Sequence, residues 1–267
     1  MNAPLIPKPL LIPLALLVLA LLLLLTVPQR AAAQAAGGSI LLWPVNPAIE
    51  ADERAAALWL ENPGKAPVTL QIRIYAWAQH DGANVYAAQD VILGTPPIMT
   101  IAPGEKQLVR LTRTLGTAPG SESGYRVVVD EIPAAKPASE SGAAVSFRMR
   151  YSLPLFAYGQ GLASPGAAPA KRRAQPGPAP RLAWRTGRND TGPYLEIRNS
   201  GIVHARLTDV ALTRGGGDTQ PVTQGLLGYV LPGATMRWPL AAGAQAPATL
   251  TASVNGAPAA PVERLAD

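Results

Sequence analysis

Hydrophobic and polar positions alternate most clearly over Ala143–Phe156. From Val145 onward, Val145, Phe147, Met149, Tyr151 and Leu153 fall on one side, and Ser146, Arg148, Arg150 and Ser152 on the other. A period of two predicts a strand with one apolar and one cationic face. Val68–Trp77 alternates in the same way, with Val68, Leu70, Ile72 and Ile74 on one face. Ala55–Leu60 precedes it across Glu61-Asn62-Pro63-Gly64-Lys65, and two apolar runs around a Pro-Gly turn predict a hairpin. His80-Asp81-Gly82-Ala83-Asn84 predicts the next turn. Further short apolar runs follow at Val91–Leu93, Ile98–Ile101, Gln107–Leu111 and Tyr125–Ile132. A short apolar piece, Ser39–Val45, comes before them and runs into Trp43-Pro44-Val45-Asn46-Pro47, whose prolines mark an edge strand or a strand switching sheets.

About seven short strands with frequent turns predict an all-β, immunoglobulin-like β-sandwich over residues 37–158. Gly159–Pro180 is rich in Pro, Ala and Gly, has Leu162 as its only large hydrophobe, and predicts a semi-extended linker. Strand signals resume from Arg181: Leu182–Trp184, Tyr194–Asn199, Ala205–Leu212, Gly228–Leu231, Met236–Leu240 and Ala248–Val254. They predict a second, smaller immunoglobulin-like sandwich over residues 181–267.

The N-terminal pattern is different. Lys8 precedes an apolar run from Leu10 to Leu25, and small residues follow at Ala31-Ala32-Ala33-Gln34-Ala35-Ala36. This three-part form predicts a secretory signal peptide within residues 1–36, cleaved after Ala33 or Ala35. The competing reading is an uncleaved anchor, but Pro13 interrupts the run and spanning helices need about 20 apolar residues. No stable membrane insertion is expected after cleavage. The formal net charge of +6 falls to +4 when Lys8 and Arg30 leave with the leader. The remaining bases are dispersed and have no aromatic interleaving, so nucleic acid is not an expected partner. With 0 Cys there is neither a disulfide framework nor a thiolate metal site.

The residues of catalysis are also missing as patterns. The 2 His, His80 and His204, are far apart and lack acids at ligand spacing, so neither a metal nor a cofactor is expected. There is no Gly-x-Ser-x-Gly elbow, Walker loop or dinucleotide fingerprint. Asp130 and Glu131 are adjacent, and neighbours on a strand face opposite ways, so they do not form a catalytic pair. A salt bridge to an arginine is the role expected of Asp130. Arg214-Gly215-Gly216-Gly217 has no helix after it and reads as a loop.

Five stretches in order carry a family resemblance. They are Ala57–Gly64; Gln71–Trp77; Pro96-Pro97-Ile98 through Ala102-Pro103-Gly104 to Gln107–Arg110; Tyr125–Pro133; and Arg150–Phe156. Together they resemble the periplasmic chaperones of the chaperone–usher pathway that assembles pili and fimbriae. The variants Arg-x-Ser-Leu-Pro-x-Phe and Ile-Arg-x-x-x-Trp are most similar to the archaic branch. The resemblance implies a chaperone, not an enzyme, with pilus subunits and an outer-membrane usher as partners. It implies that the strand closing the first domain is lent to an incomplete subunit, with main-chain bonds giving affinity and alternate side chains giving register. The residues expected in the subunit groove are Val145, Phe147 and Met149, with Ala143 at the far end and Tyr151 near the interdomain cleft. Self-association of the free protein along the same edge is a further expectation.

The family also anchors the subunit's terminal carboxylate with two cations in that cleft, and here the sequence departs from it. Asn46 and Ser152 stand where an Arg and a Lys are usual. Neither can neutralise a carboxylate, and charge-assisted bonds are the stronger ones. Arg150 and Arg110 are therefore the substitute anchor candidates, beside Ser152 and Asn46. An exported adhesive or structural sandwich is the alternative reading. A chaperone should co-purify one-to-one with a subunit, whereas an adhesin should be found in the surface fibre.

Overall fold

A computed structural model describes residues 40–132, 148–167, 178–241 and 248–265. Residues 37–267 cluster as one unit. The first ten strands are β1 (Leu41–Trp43), β2 (Ala48–Ile49), β3 (Ala55–Glu61), β4 (Val68–His80), β5 (Ala83–Ala88), β6 (Ile92–Thr95), β7 (Ile98–Ile101), β8 (Lys106–Arg113), β9 (Glu122–Ile132) and β10 (Arg150–Tyr158). One sheet has the order β1-β3-β8-β6. The other has the order β2-β10-β9-β4-β5, with β7 paired to β4. Leu58, Leu60, Val109 and Leu111 from the first sheet meet Leu70, Ile72, Val127, Val129, Leu153 and Leu155 from the second in one buried cluster. These are the alternate positions of their strands, so period-two patterning places each strand's apolar side in the gap between sheets.

The predicted hairpin of Ala55–Leu60 with Val68–Trp77 does not form. β3 pairs with β1 and β8, whereas β4 pairs with β5, β7 and β9, so the Pro-Gly turn carries the chain from one sheet to the other. Asn62 pins this crossover. Fully buried, it donates from Nδ2 to the Ala66 and Ile101 carbonyls, at 2.8 and 3.0 Å, and accepts from Gly64 N at 2.9 Å. A Pro-Gly turn marks a reversal of the chain and does not say whether the flanking strands bond to each other. The predicted turn at His80–Asn84 is a tight hairpin, with positive φ at both Asp81 (52°) and Gly82 (82°).

The remaining strands are β11 (Leu182–Asn189), β12 (Gly192–Asn199), β13 (Ala205–Thr213), β14 (Thr219–Pro221), β15 (Leu226–Val230), β16 (Thr235–Pro239), β17 (Thr249–Val254) and β18 (Ala260–Arg264). They fold around Trp184, Leu195, Ile197, Leu207, Val210 and Leu250 as a second core. A third apolar cluster joins the two sandwiches: Trp77, Phe156, Tyr158 and Leu162 from the first part of the chain meet Val203, Tyr229 and Leu231 from the second. Leu162, part of the stretch that the sequence predicts as a semi-extended linker, is 2% exposed.

Gly159, just after β10, is required for a close approach. A Cβ there would lie 1.8 Å from the Ala118 carbonyl oxygen, and backbone cannot yield as a side chain tip can. Gly159→Ala is therefore expected to destabilise the chain by about 1–3 kcal/mol, the usual cost of overpacking, read as a lowered thermal midpoint.

Candidate functional site

The site is organised by β10, whose two halves are used differently. From Leu153 to Tyr158 every residue is buried. Leu153, Leu155 and Ala157 enter the first core, while Phe156 and Tyr158, on the opposite face, enter the cluster between the sandwiches. Arg150 and Ser152 are exposed. β9 runs along one side of β10 from Arg150↔Asp130 to Tyr158↔Glu122. On the other side, among the described residues, β2 pairs only at Phe156 and Ala157. The main chain of Arg150–Leu155 therefore has no strand partner on that side among the described residues, and its edge is open to solvent only over Arg150–Ser152.

Of the residues expected to enter a partner's groove, Ala143, Val145 and Phe147 lie outside the described residues. Met149 is exposed, at 40%. It extends the ladder to β9, because Glu131 N donates to its carbonyl at 3.2 Å. Tyr151 is half-buried against the chain's own first core, and its hydroxyl accepts from Ile40 N at 2.8 Å. The apolar face predicted as one continuous surface thus passes from solvent at Met149 into the protein's own core by Leu153.

The outer face of the β10–β9–β4 sheet forms one wall of the cleft toward the second sandwich. A cavity of about 780 Å³ there is lined by Asn46, Arg126, Arg150, Ser152, Arg206 and Tyr229 among others, and among the described residues by no acidic one. Three of the four anchor candidates, Asn46, Arg150 and Ser152, are brought together. Arg110 is not among the residues lining this cavity. It lies exposed on β8, opposite Ala57 and Thr95 in the other sheet.

Arg150 already has a partner. Its Nε donates to Asp130, which also accepts from Arg73 Nη2 at 2.5 Å. Cross-strand register dictates this triad, since Asp130 sits opposite Arg150 on one side and Gln71 on the other, one step from Arg73. Burial pushes the Asp130 carboxyl up. The hydrogen bonds and charges of Arg73 and Arg150 outweigh that and hold it below the usual carboxylate range. A carboxylate with a depressed folded pKa contributes stability that is fully present above its unfolded value, about 3.9, and is lost as pH falls through the folded value. Asp130→Asn is therefore expected to lower the thermal midpoint at neutral pH and to flatten its acid limb, measured by thermal unfolding across pH.

Arg126 is the cation that the sequence reading missed. Its guanidinium lies 3.9 Å from the Trp77 ring centroid and 5.5 Å from that of Tyr229. Its Nε is buried without a hydrogen-bond partner, and none of the ion pairs among the described residues includes it. Burial lowers its pKa from the ordinary arginine value, while Tyr86 and Tyr229 act in the opposite direction. A desolvated arginine of this kind remains charged and is a strong receptor for a carboxylate. In sequence it is one polar position in an alternating strand, and only the packing of Trp77 and Tyr229 around it sets it apart.

Below the cavity, Glu122 links the sandwiches. Its carboxylate accepts from His204 N at 3.1 Å and lies 2.9 Å from His204 Nδ1. The His204 ring stacks on Phe156 at 3.6 Å between centroids. Burial first, and Glu122 next, push the Tyr158 hydroxyl well above the usual phenol pKa. His204 is thus a buried structural residue, while His80 is exposed at the end of β4. Among the described residues no group of three His, Cys, Asp or Glu is placed to hold a metal ion. No helix among them is long and apolar enough to cross a membrane.

Two sandwiches that meet at a cation-lined cleft, with a strand edge open beside it, define a protein built to hold a polypeptide. The family described as pili and flagellar-assembly chaperone, PapD N-terminal domain, matches residues 45–163. Among solved structures, the chain is 31% identical to CsuC in the CsuC–CsuE chaperone–tip adhesion subunit pre-assembly complex from the archaic chaperone–usher Csu pili of Acinetobacter baumannii. That match has a TM-score of 0.71 and covers 85% of this chain and 100% of that one. The chain also shares its fold with the Escherichia coli chaperone DraB, at 19% identity and a TM-score of 0.57 over 85% of this chain and 97% of that one. A further fold match is to the Salmonella enterica complex of the SafA pilin with the SafB chaperone, at 20% identity and a TM-score of 0.54, covering 85% and 95%. A comparison with curated protein sequences found no match. The chain belongs to the periplasmic pilus-assembly chaperones of the chaperone–usher pathway, a non-enzymatic class.

Proposed function

We propose that this chaperone caps a pilus subunit by adding a strand to it, and passes the subunit to an outer-membrane usher. The observation that carries the reading is the unpaired edge of β10, open over Arg150–Ser152 and continued by exposed Met149. An incomplete sandwich needs what such an edge supplies: main-chain donors and acceptors in register, and alternate apolar side chains. In this reading Ala143, Val145, Phe147 and Met149 enter the subunit's groove, and Tyr151 marks where the lent segment joins the chaperone's own core. Burying each large side chain is worth about 1.5–3 kcal/mol. Several such terms set the register and still permit exchange for the next subunit's strand.

The subunit's terminal carboxylate is held in the cleft by Arg126, with Arg150, Ser152 and Asn46 beside it. Arg150 is kept in place by Asp130 and contributes more to geometry than to net charge. Residues 1–36 act as a cleaved export signal. The domains run over residues 37–158 and 181–267. The experiment is co-expression of the full chain with a small subunit encoded beside it and an usher. Recovery of a one-to-one soluble complex supports the reading, and recovery of the chain in the surface fibre instead overturns it.

A further inference from the structure

The cavity that receives the carboxylate in this reading is built by both sandwiches: Arg126, Arg150 and Ser152 from the first, Arg206, Tyr229 and Asn255 from the second. Its shape therefore depends on what holds the second sandwich against the first. The β4–β5 hairpin does much of this. Its tip carbonyl, Gly82 O, accepts from Arg237 N at 3.1 Å. Further back, the Gln79 side chain is 7% exposed and saturated with main-chain partners. Its Nε2 donates to Tyr229 O at 2.9 Å, and its Oε1 accepts from Leu231 N at 2.8 Å. One amide thus takes the place of a strand neighbour across the domain boundary.

The orientation of that amide is itself fixed. Asn84 Oδ1 accepts from Gln79 Nε2 at 2.9 Å and from Trp77 Nε1 at 2.8 Å. Both Gln79 donors are therefore engaged, and a flipped amide would set like groups against each other on three sides. The residue gripped in this way, Tyr229, places its ring edge-on to Trp77, at 5.4 Å, and beside the Arg126 guanidinium. Trp77 and Tyr229 are the two aromatic walls that desolvate Arg126. One wall is on the same strand as Gln79, and the other is held by it.

We propose that Gln79 is a positioning residue for the carboxylate receptor: it clamps the Tyr229 main chain so that Arg126 stays desolvated between two rings. The proposal rests on the reading of Arg126 as the anchor. Gln79 touches no ligand and acts through Tyr229 and Arg126. If the clamp is lost, Tyr229 is free to withdraw and water reaches the guanidinium. The arginine keeps its charge and loses the low-dielectric setting that makes a carboxylate bond strong. Arg126 lies opposite Pro154 and both rings pack near Phe156, but the edge offered for strand addition is the other side of β10 and is unaffected.

The test compares a synthetic peptide of alternating valine and threonine ending in a free carboxylate with the same peptide ending in an amide. Binding of each to the full chain is followed by fluorescence anisotropy. The unaltered chain should prefer the acid by about ten- to a hundredfold, the range of a charge-assisted hydrogen bond. In Gln79→Met, which keeps volume and removes the clamp, the preference should fall to within about twofold, with amide binding unchanged. In an Arg126→Met background, Gln79→Met should change the preference no further, as expected for two residues acting in series. Should Gln79→Met fail to fold, Asn84→Ala releases the amide without removing it, and a several-fold smaller preference is expected. An undiminished preference in whichever of these variants folds would overturn the role given to Gln79. Equal binding of acid and amide by the unaltered chain would instead overturn the anchor reading on which it rests.

Discussion

Phe147→Asp is expected to abolish the accumulation of soluble subunit in the periplasm while leaving the chaperone folded. The two effects separate because the residue is proposed to serve another chain's core. Loss of a buried phenylalanine removes about 1.5–3 kcal/mol, and a carboxylate forced into an apolar groove without a partner adds a penalty of the same order or more. At about 1.4 kcal/mol per tenfold, binding should weaken by a hundredfold or more. The measurement is soluble subunit by immunoblot, alongside thermal unfolding of the purified variant. Subunit that still accumulates beside Phe147→Asp would remove that side chain from the groove. A variant that cannot fold would place it in the chaperone's own core.

Arg126→Met is expected to act in the cleft with little cost to the fold. Methionine keeps apolar volume against Trp77 and removes a half-buried cation that belongs to none of the ion pairs among the described residues. Removing such a charge relieves a desolvation cost and gives up a cation–π contact worth about 0.5–2 kcal/mol. The thermal midpoint should therefore move little. Affinity for a subunit with a free terminal carboxylate should fall by about ten- to a hundredfold, because a charge-assisted bond of about 1.5–3 kcal/mol is lost. Calorimetric titration with the free subunit tail checks the second part. An unchanged affinity would shift the anchoring role to Arg150 or Arg206.

The strands were legible because their chemistry is local. Val68–Ile74 and Arg150–Leu153 alternate, Tyr125–Ile132 is rich in β-branched residues, and each lies in a strand. The Asp81-Gly82 turn was legible for the same reason, since its residue types tolerate the backbone it needs. The partner of each strand was less so. The Pro-Gly turn after β3 has the residues of a hairpin, and only Asn62, bonded across to Ile101, marks the move to the other sheet. The cleft was the least legible part. Asp130 was assigned to a salt bridge, and two arginines reach it. Arg126, Gln79 and Glu122 carry no local signal, because their roles come from Tyr229, Leu231 and His204, which lie more than eighty residues further along the chain. Arg110 illustrates the converse. It has suitable chemistry and a place in the family-like stretch, but it sits on a strand of the other sheet.

The two-residue strand β2 lies beside β10 at Phe156 and Ala157 and, among the described residues, nowhere earlier. Between β2 and the exposed stretch Arg150–Ser152, Leu153–Leu155 is buried, so under the proposed reading a ribbon laid along that border stops where the strand enters the core. Under that reading a visiting chain can slide no further than Ser152, whatever its own composition. Cargoes of unlike sequence would all be halted at the same notch, and the buried half of β10 would serve as the ruler that measures out how much ribbon is lent.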